Sequence, residues 1–297
     1  MIQMSAATIP STERKLITWL QSNNEIKKHE LECFVAMVTP AVAQLFLDTG
    51  AKNRPLKKLI VERYMRDMEA GRWGLTGEPL ILDYDLSLRN GQHRCAACIR
   101  SQVPFTTVII AGVPPEAFDR MDQHAKRTCA DVFSMRGEVS ANHLTACCVI
   151  LWHWEKNRLC GWQAGHHVPT VSELEGVLAA HPAIREFRKG YADRAHGMKC
   201  SDAALAVCHY LFSGIDRVAA DLFFAQFTDG QGLAADSPIR ALRERLIRDS
   251  IRRRNIRLRE VMALTIKAWN AYRSGKPTMR MTWRGFADEE FPAIAGL

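Results

Sequence analysis

The stretch from residue 78 to residue 113 constrains the fold more than any other part of the sequence. Its opening, EPLILDYDLSL (78–88), places an apolar triplet before a turn at 83–87, which predicts a β-hairpin. A helix is predicted over 91–101, and VPFTTVIIAGV (103–113) is rich in β-branched residues, as buried strands are. A hairpin, a helix and a buried strand in succession predict a compact module of mixed α and β structure.

Helical periodicity dominates the rest of the chain. Apolar spacings of three and four residues predict helices over 12–21, 40–47 and 56–70, and a short helix follows the buried strand at 115–121. Six further helices, separated by Gly, Pro or Asn, are predicted after Gly137: 141–154, 171–180, 203–212, 216–227, 238–249 and 256–272. The expected fold class is α+β, with a small mixed α/β domain followed by an all-helical domain.

The change of character near residue 136 predicts three parts. These are an N-terminal helical arm (1–34), an α/β domain (35–136) and a helical domain with a basic segment (137–297). No apolar run reaches the roughly 18–20 residues of a membrane span. The first residues lack the pattern of a secretory signal, and the nine cysteines form no regular framework. We therefore expect reduced thiols, a cytoplasmic location and no membrane partner.

The start of the 91–101 helix breaks a local rule. The unpaired N–H groups of a helix N-terminus favour anions, yet the first turn carries His93 and Arg94 and no carboxylate. A bound phosphate would explain both side chains, with Gly91 allowing the ligand to approach the backbone closely. The alternative is that His93 pairs with a carboxylate of the protein and that Arg94 lies on the surface.

The segment NGQHRCAA (90–97), after a hairpin and before an apolar strand, resembles the signature of the ParB/sulfiredoxin superfamily. That superfamily includes ParB partition proteins, sulfiredoxins, free-serine kinases and DndB-type proteins, and the similarity covers about 35–135. The segment IKAWNAYRSGK (266–276) is similar to the ends of uncharacterised bacteriophage proteins, but it brings no known chemistry. A phage protein of this kind would act in the host cytoplasm.

The resemblance implies a site for nucleotide phosphates, with ATP or CTP as ligand and Mg²⁺ as an optional companion. Asn53 and Arg54 would contact the nucleotide from a second loop, and Lys126 and Arg127 would flank it. The expected nucleotide-binding residues are Asn53, Arg54, Asn90, Gly91, Gln92, His93, Arg94, Lys126 and Arg127.

Two departures from the superfamily pattern bear on catalysis. Gln92 stands where sulfiredoxins have cysteine, which argues against sulfinic-acid reduction. Asn90 replaces the aspartate of the serine kinases, and an amide cannot act as a general base. An NTP-dependent phosphotransferase acting on a small molecule or a modified DNA base would need Asp83, Asp85 or Asp122 instead. Asp83 and Asp85 could also hold Mg²⁺, although a plain Asp-rich turn is favoured.

A concentrated basic region is the second strong signal. The chain has a net charge of +8, whereas residues 240–280 alone hold 13 basic and 3 acidic residues, a net of +10. Nine arginines lie between 240 and 259, around an apolar stripe of Ile239, Leu242, Leu246, Ile247 and Ile251. Such a surface suits phosphate-backbone contact without base reading. The expected DNA-binding residues are Arg248, Arg252, Arg253, Arg254 and Arg257.

The alternative for this region is a solvated helix face, with arginines pairing to Glu244 and Asp249. Two groups of residues have side chains that could bind a metal, but the sequence does not favour a metal site at either. Cys95 and Cys98 are expected to be buried thiols. The zinc-type residues His153, Cys160, His166 and His167 match no standard spacing, so no metal site is expected.

These observations predict a nucleotide-binding protein of DNA metabolism, with phosphates at Gly91–Arg94 and DNA at Arg240–Arg259. The phosphotransferase is one alternative, and a non-catalytic DNA-binding or inhibitor module is another. Nucleotide and DNA are the expected partners, and a homodimer is left open.

Overall fold

A computed structural model of the chain describes residues 3–4, 17–18, 30–49, 55–120, 127–156, 168–187, 190–191, 198, 200–252, 256–285 and 288–297. Contacts divide the chain into two units. The first contains residues 1–126 and 165–172, and the second contains residues 127–164 and 173–297. The fold class is α+β, because one unit is built on a sheet and the other is helical, as the sequence predicts.

The first unit is built on one mixed sheet with the strand order β1-β2-β5-β3-β4. Strand β5 pairs antiparallel with β2 and parallel with β3, and β4 pairs antiparallel with β3. The elements of this unit are β1 (Gln3–Met4), β2 (Glu30–Val38), α1 (Pro40–Asp48), α2 (Lys58–Glu69), β3 (Leu80–Asp83), β4 (Leu88–Asn90), α3 (Gln92–Ser101), β5 (Phe105–Val113) and a 3₁₀ helix (Pro115–Arg120). The predicted hairpin, helix and buried strand of residues 78–113 are confirmed.

Strand β2 is the longer of two strands that the sequence analysis missed, the other being β1. Phe34, Ala36 and Val38 are buried, but the alternating positions Val35 and Met37 are apolar as well, so the period of two is hidden. The strand pairs along its length with β5, from Glu32 opposite Ala111 to Val38 opposite Phe105. It therefore belongs to the sheet, and the expected boundary between a 1–34 arm and the α/β domain falls inside it.

The second unit is helical over the described residues. Its elements are α4 (Cys129–Met135), α5 (Ala141–Glu155), α6 (Val171–Ala180, whose first two residues belong to the first unit), a 3₁₀ helix (Pro182–Glu186), α7 (Asp202–Ser213), α8 (Arg217–Asp229), α9 (Pro238–Ile251) and α10 (Leu258–Arg273). All six helices predicted after Gly137 are confirmed to within two residues at each end. Helix α4 buries Phe133 in the helical core, which places the division between the units before α4 and ahead of residue 136.

Aromatic side chains form the centre of the second unit. Trp269 of α10 stacks on Phe212 of α7, with ring centroids 4.5 Å apart and an interplanar angle of 9°. Phe223 of α8 meets the Trp269 ring edge-on. Stacked and edge-on pairs of this kind contribute about 0.5–1.5 kcal/mol beyond the burial of their area. The core therefore joins α7, α8 and α10 tightly.

The 266–276 segment has a structural role in this unit. The Asn270 side chain donates to the carbonyl of Ala293 (2.8 Å) and accepts from the amide of Ala295 (2.9 Å). Lys267 Nζ donates to the carbonyl of Thr282 and to the Glu289 carboxylate, each at 2.6 Å. These contacts fasten the C-terminal residues to α10.

Candidate functional site

Gly91 joins β4 to α3 in a left-handed conformation (φ 111°, ψ 4°). A Cβ atom built on Gly91 would lie 2.0 Å from Cδ2 of Leu80, which is fully buried. Both the positive φ and the contact with Leu80 require glycine at this position. Close packing against β3 thus accounts for Gly91, where the sequence analysis invoked the approach of a ligand.

The Arg94 side chain points into the protein and is 7% exposed. Its Nη1 donates to the carbonyl of Glu78 (2.7 Å) and its Nη2 to the carbonyl of Pro79 (2.5 Å). A longer contact of 3.4 Å joins Nη1 to Oγ1 of Thr107 on β5. The guanidinium therefore ties the entrance of β3 to α3, and the surface position considered for Arg94 is wrong.

His93 is equally buried and is also engaged by the backbone. Its Nε2 accepts a hydrogen bond from the amide of Lys57, 3.0 Å away, across 36 residues of sequence. An accepting Nε2 carries no proton, so the ring is the neutral tautomer protonated on Nδ1. The contact brings the segment that follows Asn53 and Arg54 against the start of α3. Asn53 and Arg54 themselves lie outside the described residues.

Helices α2 and α3 are parallel neighbours whose N-termini meet at this contact. Lys57 is the N-cap residue of α2 and touches His93, while Met68 at the other end of α2 meets Ser101, the last residue of α3. Neither helix has an acidic residue in its first turn or a capping side-chain hydrogen bond. Each N-terminus carries roughly half a positive charge. The two together form a positive corner, which we call the α2–α3 corner (Lys57, Lys58, Gln92 and His93).

The turn between β3 and β4 accounts for Asp83. This fully buried carboxylate accepts from the amides of Asp85 (3.0 Å) and Ser87 (2.9 Å) and pairs with Nε of Arg89 (2.5 Å). The interpretation as an Asp-rich turn is confirmed, and Asp83 is not available to hold Mg²⁺ or to act as a base. Asp85 is exposed, and Asp122 lies outside the described residues.

The cysteines of α3 are buried thiols, as expected. Burial raises the pKa of Cys95 to about 12 and the pKa of Cys98 to about 11. His153 is buried in α5, whereas Cys160, His166 and His167 lie outside the described residues. Of the two cations expected to flank the nucleotide, Arg127 is exposed and Lys126 lies outside the described residues. Among the residues that are described, no three His, Cys, Asp or Glu side chains are grouped as metal ligands would be.

Three arginines of α9 form hydrogen bonds or ion pairs within the protein. Arg243 is buried and donates through Nη1 to the carbonyls of Phe227 and Thr228, with its guanidinium packed against Gly230. Arg245 pairs with both Asp249 on its own helix and Glu260 on α10. On the surface, Arg240 pairs with Glu244 at 2.8 Å. Glu244 and Asp249 thus form the i,i+4 pairs that the alternative interpretation expects.

The remaining arginines lie where α9 ends and α10 begins, with Arg259 in the first turn of α10. Arg252 and Arg257 are exposed and Arg248 is half-buried, and within the described part of the chain none of the three forms an ion pair. Arg253 and Arg254 are not described. We call Arg248, Arg252 and Arg257 the arginine junction. Every acidic residue between 238 and 260 is paired with Arg240 or Arg245, and none of these three carboxylates forms an ion pair with Arg248, Arg252 or Arg257.

The apolar stripe of α9 ends earlier than predicted. Ile239, Leu242 and Leu246 are buried and Ile247 packs against the core, but Ile251 is 77% exposed. Arg243 and Arg245 are the residues of this region whose internal contacts the sequence analysis missed, and Arg245 is the clearer case. Its i,i+4 spacing to Asp249 was visible, whereas its contact with Glu260 depends on how α9 packs on α10.

Comparisons with protein-family models, with curated proteins and with solved structures gave no match. The resemblance of residues 90–97 to the ParB/sulfiredoxin superfamily therefore rests on the sequence motif and stays a prediction. Over the ranges that the structure describes, no helix is both long enough and apolar enough to span a bilayer.

Proposed function

We propose that the protein binds DNA and that the arginine junction contacts the phosphate backbone. One observation carries this proposal: Arg240 and Arg245 pair with the three carboxylates between residues 238 and 260, while Arg248, Arg252 and Arg257 have no acidic partner among the described residues. Arginine suits phosphate because its planar guanidinium matches two oxygens at once. Binding of this kind positions a protein on DNA without reading sequence.

Salt dependence of DNA affinity tests the proposal. Fluorescence anisotropy with a labelled duplex measures the slope of log affinity against log salt, and each arginine that neutralises a phosphate adds about one to its magnitude. We expect Arg252→Ala combined with Arg257→Ala to lower that slope by about two. Arg240→Ala is the matched control, because Arg240 is an exposed arginine of the same basic region and is already paired with Glu244. Absence of binding at low salt, or an unchanged slope in the double variant, would overturn the proposal.

A second candidate function is nucleotide binding at the α2–α3 corner, the activity that the superfamily resemblance implies. Its support is the meeting of two helix N-termini that lack capping side chains and acidic residues in their first turns, beside the exposed Lys57. Lys58 is also exposed and forms an i,i+4 pair with Glu62 at 3.7 Å. Phosphates would be held by main-chain N–H groups and by these lysines. The buried guanidinium of Arg94 would position the turn, since its Nη atoms already serve the carbonyls of Glu78 and Pro79.

Isothermal titration with ATP and with CTP, each with and without Mg²⁺, tests this candidate. We expect binding that Lys57→Ala combined with Lys58→Ala weakens about tenfold, since each charge-assisted contact contributes on the order of 1 kcal/mol. Arg66→Ala is the matched control, because Arg66 lies in the last turn of α2. No heat at millimolar nucleotide would exclude the site and would leave the DNA proposal intact. Slow turnover that rises with an added hydroxyl acceptor would favour the phosphotransferase.

A further inference from the structure

Ile251 occupies an unusual place within the arginine junction. It lies in the last turn of α9, three residues after Arg248 and next to Arg252, and 77% of its surface is exposed. Arg248 lies three residues before Ile251 and four before Arg252, so it neighbours both, whereas Ile251 and Arg252 project about 100° apart around the helix axis. The end of the helix therefore presents an exposed apolar side chain beside two cations.

Packing within the unit does not account for this side chain. Ile247 on the preceding turn already packs against the core, and α9 ends immediately after Ile251. The carboxylates closest in sequence, Asp249 and Glu260, are both held by Arg245. A partner that fits this end of α9 offers anionic groups beside an apolar surface.

Duplex DNA has this arrangement, because phosphates flank each stacked base step. Proteins that kink DNA insert apolar side chains, isoleucine among them, between base pairs while cationic side chains hold the backbone. We propose that Ile251 is an apolar wedge that enters a base step of duplex DNA while Arg248 and Arg252 contact the adjacent phosphates. This inference rests on the proposed DNA contact and adds a deformation of the duplex to it.

Comparing the affinity for two DNA sequences tests whether Ile251 acts as a wedge. Pyrimidine–purine steps such as TA unstack easily, whereas A-tracts are stiff. We expect the wild-type protein to prefer a duplex of about 25 base pairs with central TA steps over an A-tract duplex of equal length. End-labelled duplexes should also show increased energy transfer on binding, because a kink brings the two ends together.

The variant Ile251→Ala isolates the wedge from the charges. We expect it to lose the preference for TA steps and the increase in energy transfer, with affinity for the TA duplex falling about tenfold, as expected for an apolar contact of this size. The salt slope should not change, since no charge is removed. Val218→Ala is the matched control, because Val218 is a β-branched side chain 70% exposed on α8, beside an arginine that is paired with Glu186 and Asp221. It should bind and bend DNA as the wild type does.

Retention of bending and of the TA preference by Ile251→Ala would overturn the wedge. Equal decreases of affinity for duplex and single-stranded DNA would do the same, because a wedge requires a stacked base step. In both cases the salt slope of Arg252→Ala with Arg257→Ala still decides the DNA proposal separately. If the wild-type protein binds no DNA at low salt, both proposals fail.

Discussion

The start of α3 and the arginine junction look alike in sequence and differ in structure. Both place cationic side chains at the end of a helix. At the start of α3, both side chains form hydrogen bonds with the backbone: Arg94 donates to two carbonyls, and His93 accepts from the amide of Lys57. At the arginine junction, in contrast, the neighbouring acids Asp249 and Glu260 pair with Arg245 and not with the junction arginines. A cationic motif indicates a ligand only when its donors are not already bonded inside the protein.

The largest effect on stability should come from replacing Arg245, which pairs with Asp249 and Glu260 next to the arginine junction. Arg245→Ala removes a guanidinium that pairs with two buried carboxylates, and we expect the free energy of unfolding to fall by about 3–5 kcal/mol. Urea denaturation measures it. Arg240→Ala, which breaks an exposed pair, should cost less than about 1 kcal/mol. Equal small decreases in the two variants would remove the distinction between the inner and outer arginines of α9.

Arg94→Ala should have the next largest effect. The carbonyls of Glu78 and Pro79 would lose charged donors at a partly buried site, which costs about 2–3 kcal/mol of folding free energy. Arg94→Lys should recover little, because an ammonium group cannot reproduce the planar fork. A variant that keeps full stability but loses nucleotide affinity would show that Arg94 contacts a ligand, and the contrast with the arginine junction would fail.

Arg252→Ala combined with Arg257→Ala should leave stability within about 0.5 kcal/mol of the wild type, as for surface substitutions in general. The same variant lowers DNA affinity if the junction contacts phosphates. Thermal or urea unfolding of the sample used for binding measures both properties together. A clear decrease in stability would assign these arginines to the structure, as Arg243 already is.

The smallest effect concerns a thiol that should not react. Burial raises the pKa of Cys95 to about 12, so at pH 8 the folded protein should protect it from a thiol reagent while the exposed Cys33 is modified. Mass spectrometry of the labelled protein identifies the modified residue. Rapid labelling of Cys95 in the folded state would mean that the inner face of α3 opens, and the internal roles of His93 and Arg94 would need revision.

The candidate sites were predictable in part. A cationic α3 start and a basic 240–259 region follow from the residues, and the five arginines expected to contact DNA include neither Arg243 nor Arg245, which the protein uses internally. The contact of Lys57 with His93 was not predictable, because it joins residues 36 positions apart. The exposure of Ile251 was predicted wrongly, since periodicity assumes that an apolar stripe is covered along the whole length of its helix.

Local pattern alone determined the sequence of helices, the hairpin and the buried strand β5, because turn residues and apolar spacing act over a few positions. Strand β2 could not be predicted in this way, because apolar residues occupy both of its faces. Only the tertiary structure decided which cations face inward. A guanidinium turns toward whatever acceptor the fold brings near it, and for Arg94 and Arg245 those acceptors include groups from other elements, 13 to 16 residues away along the chain.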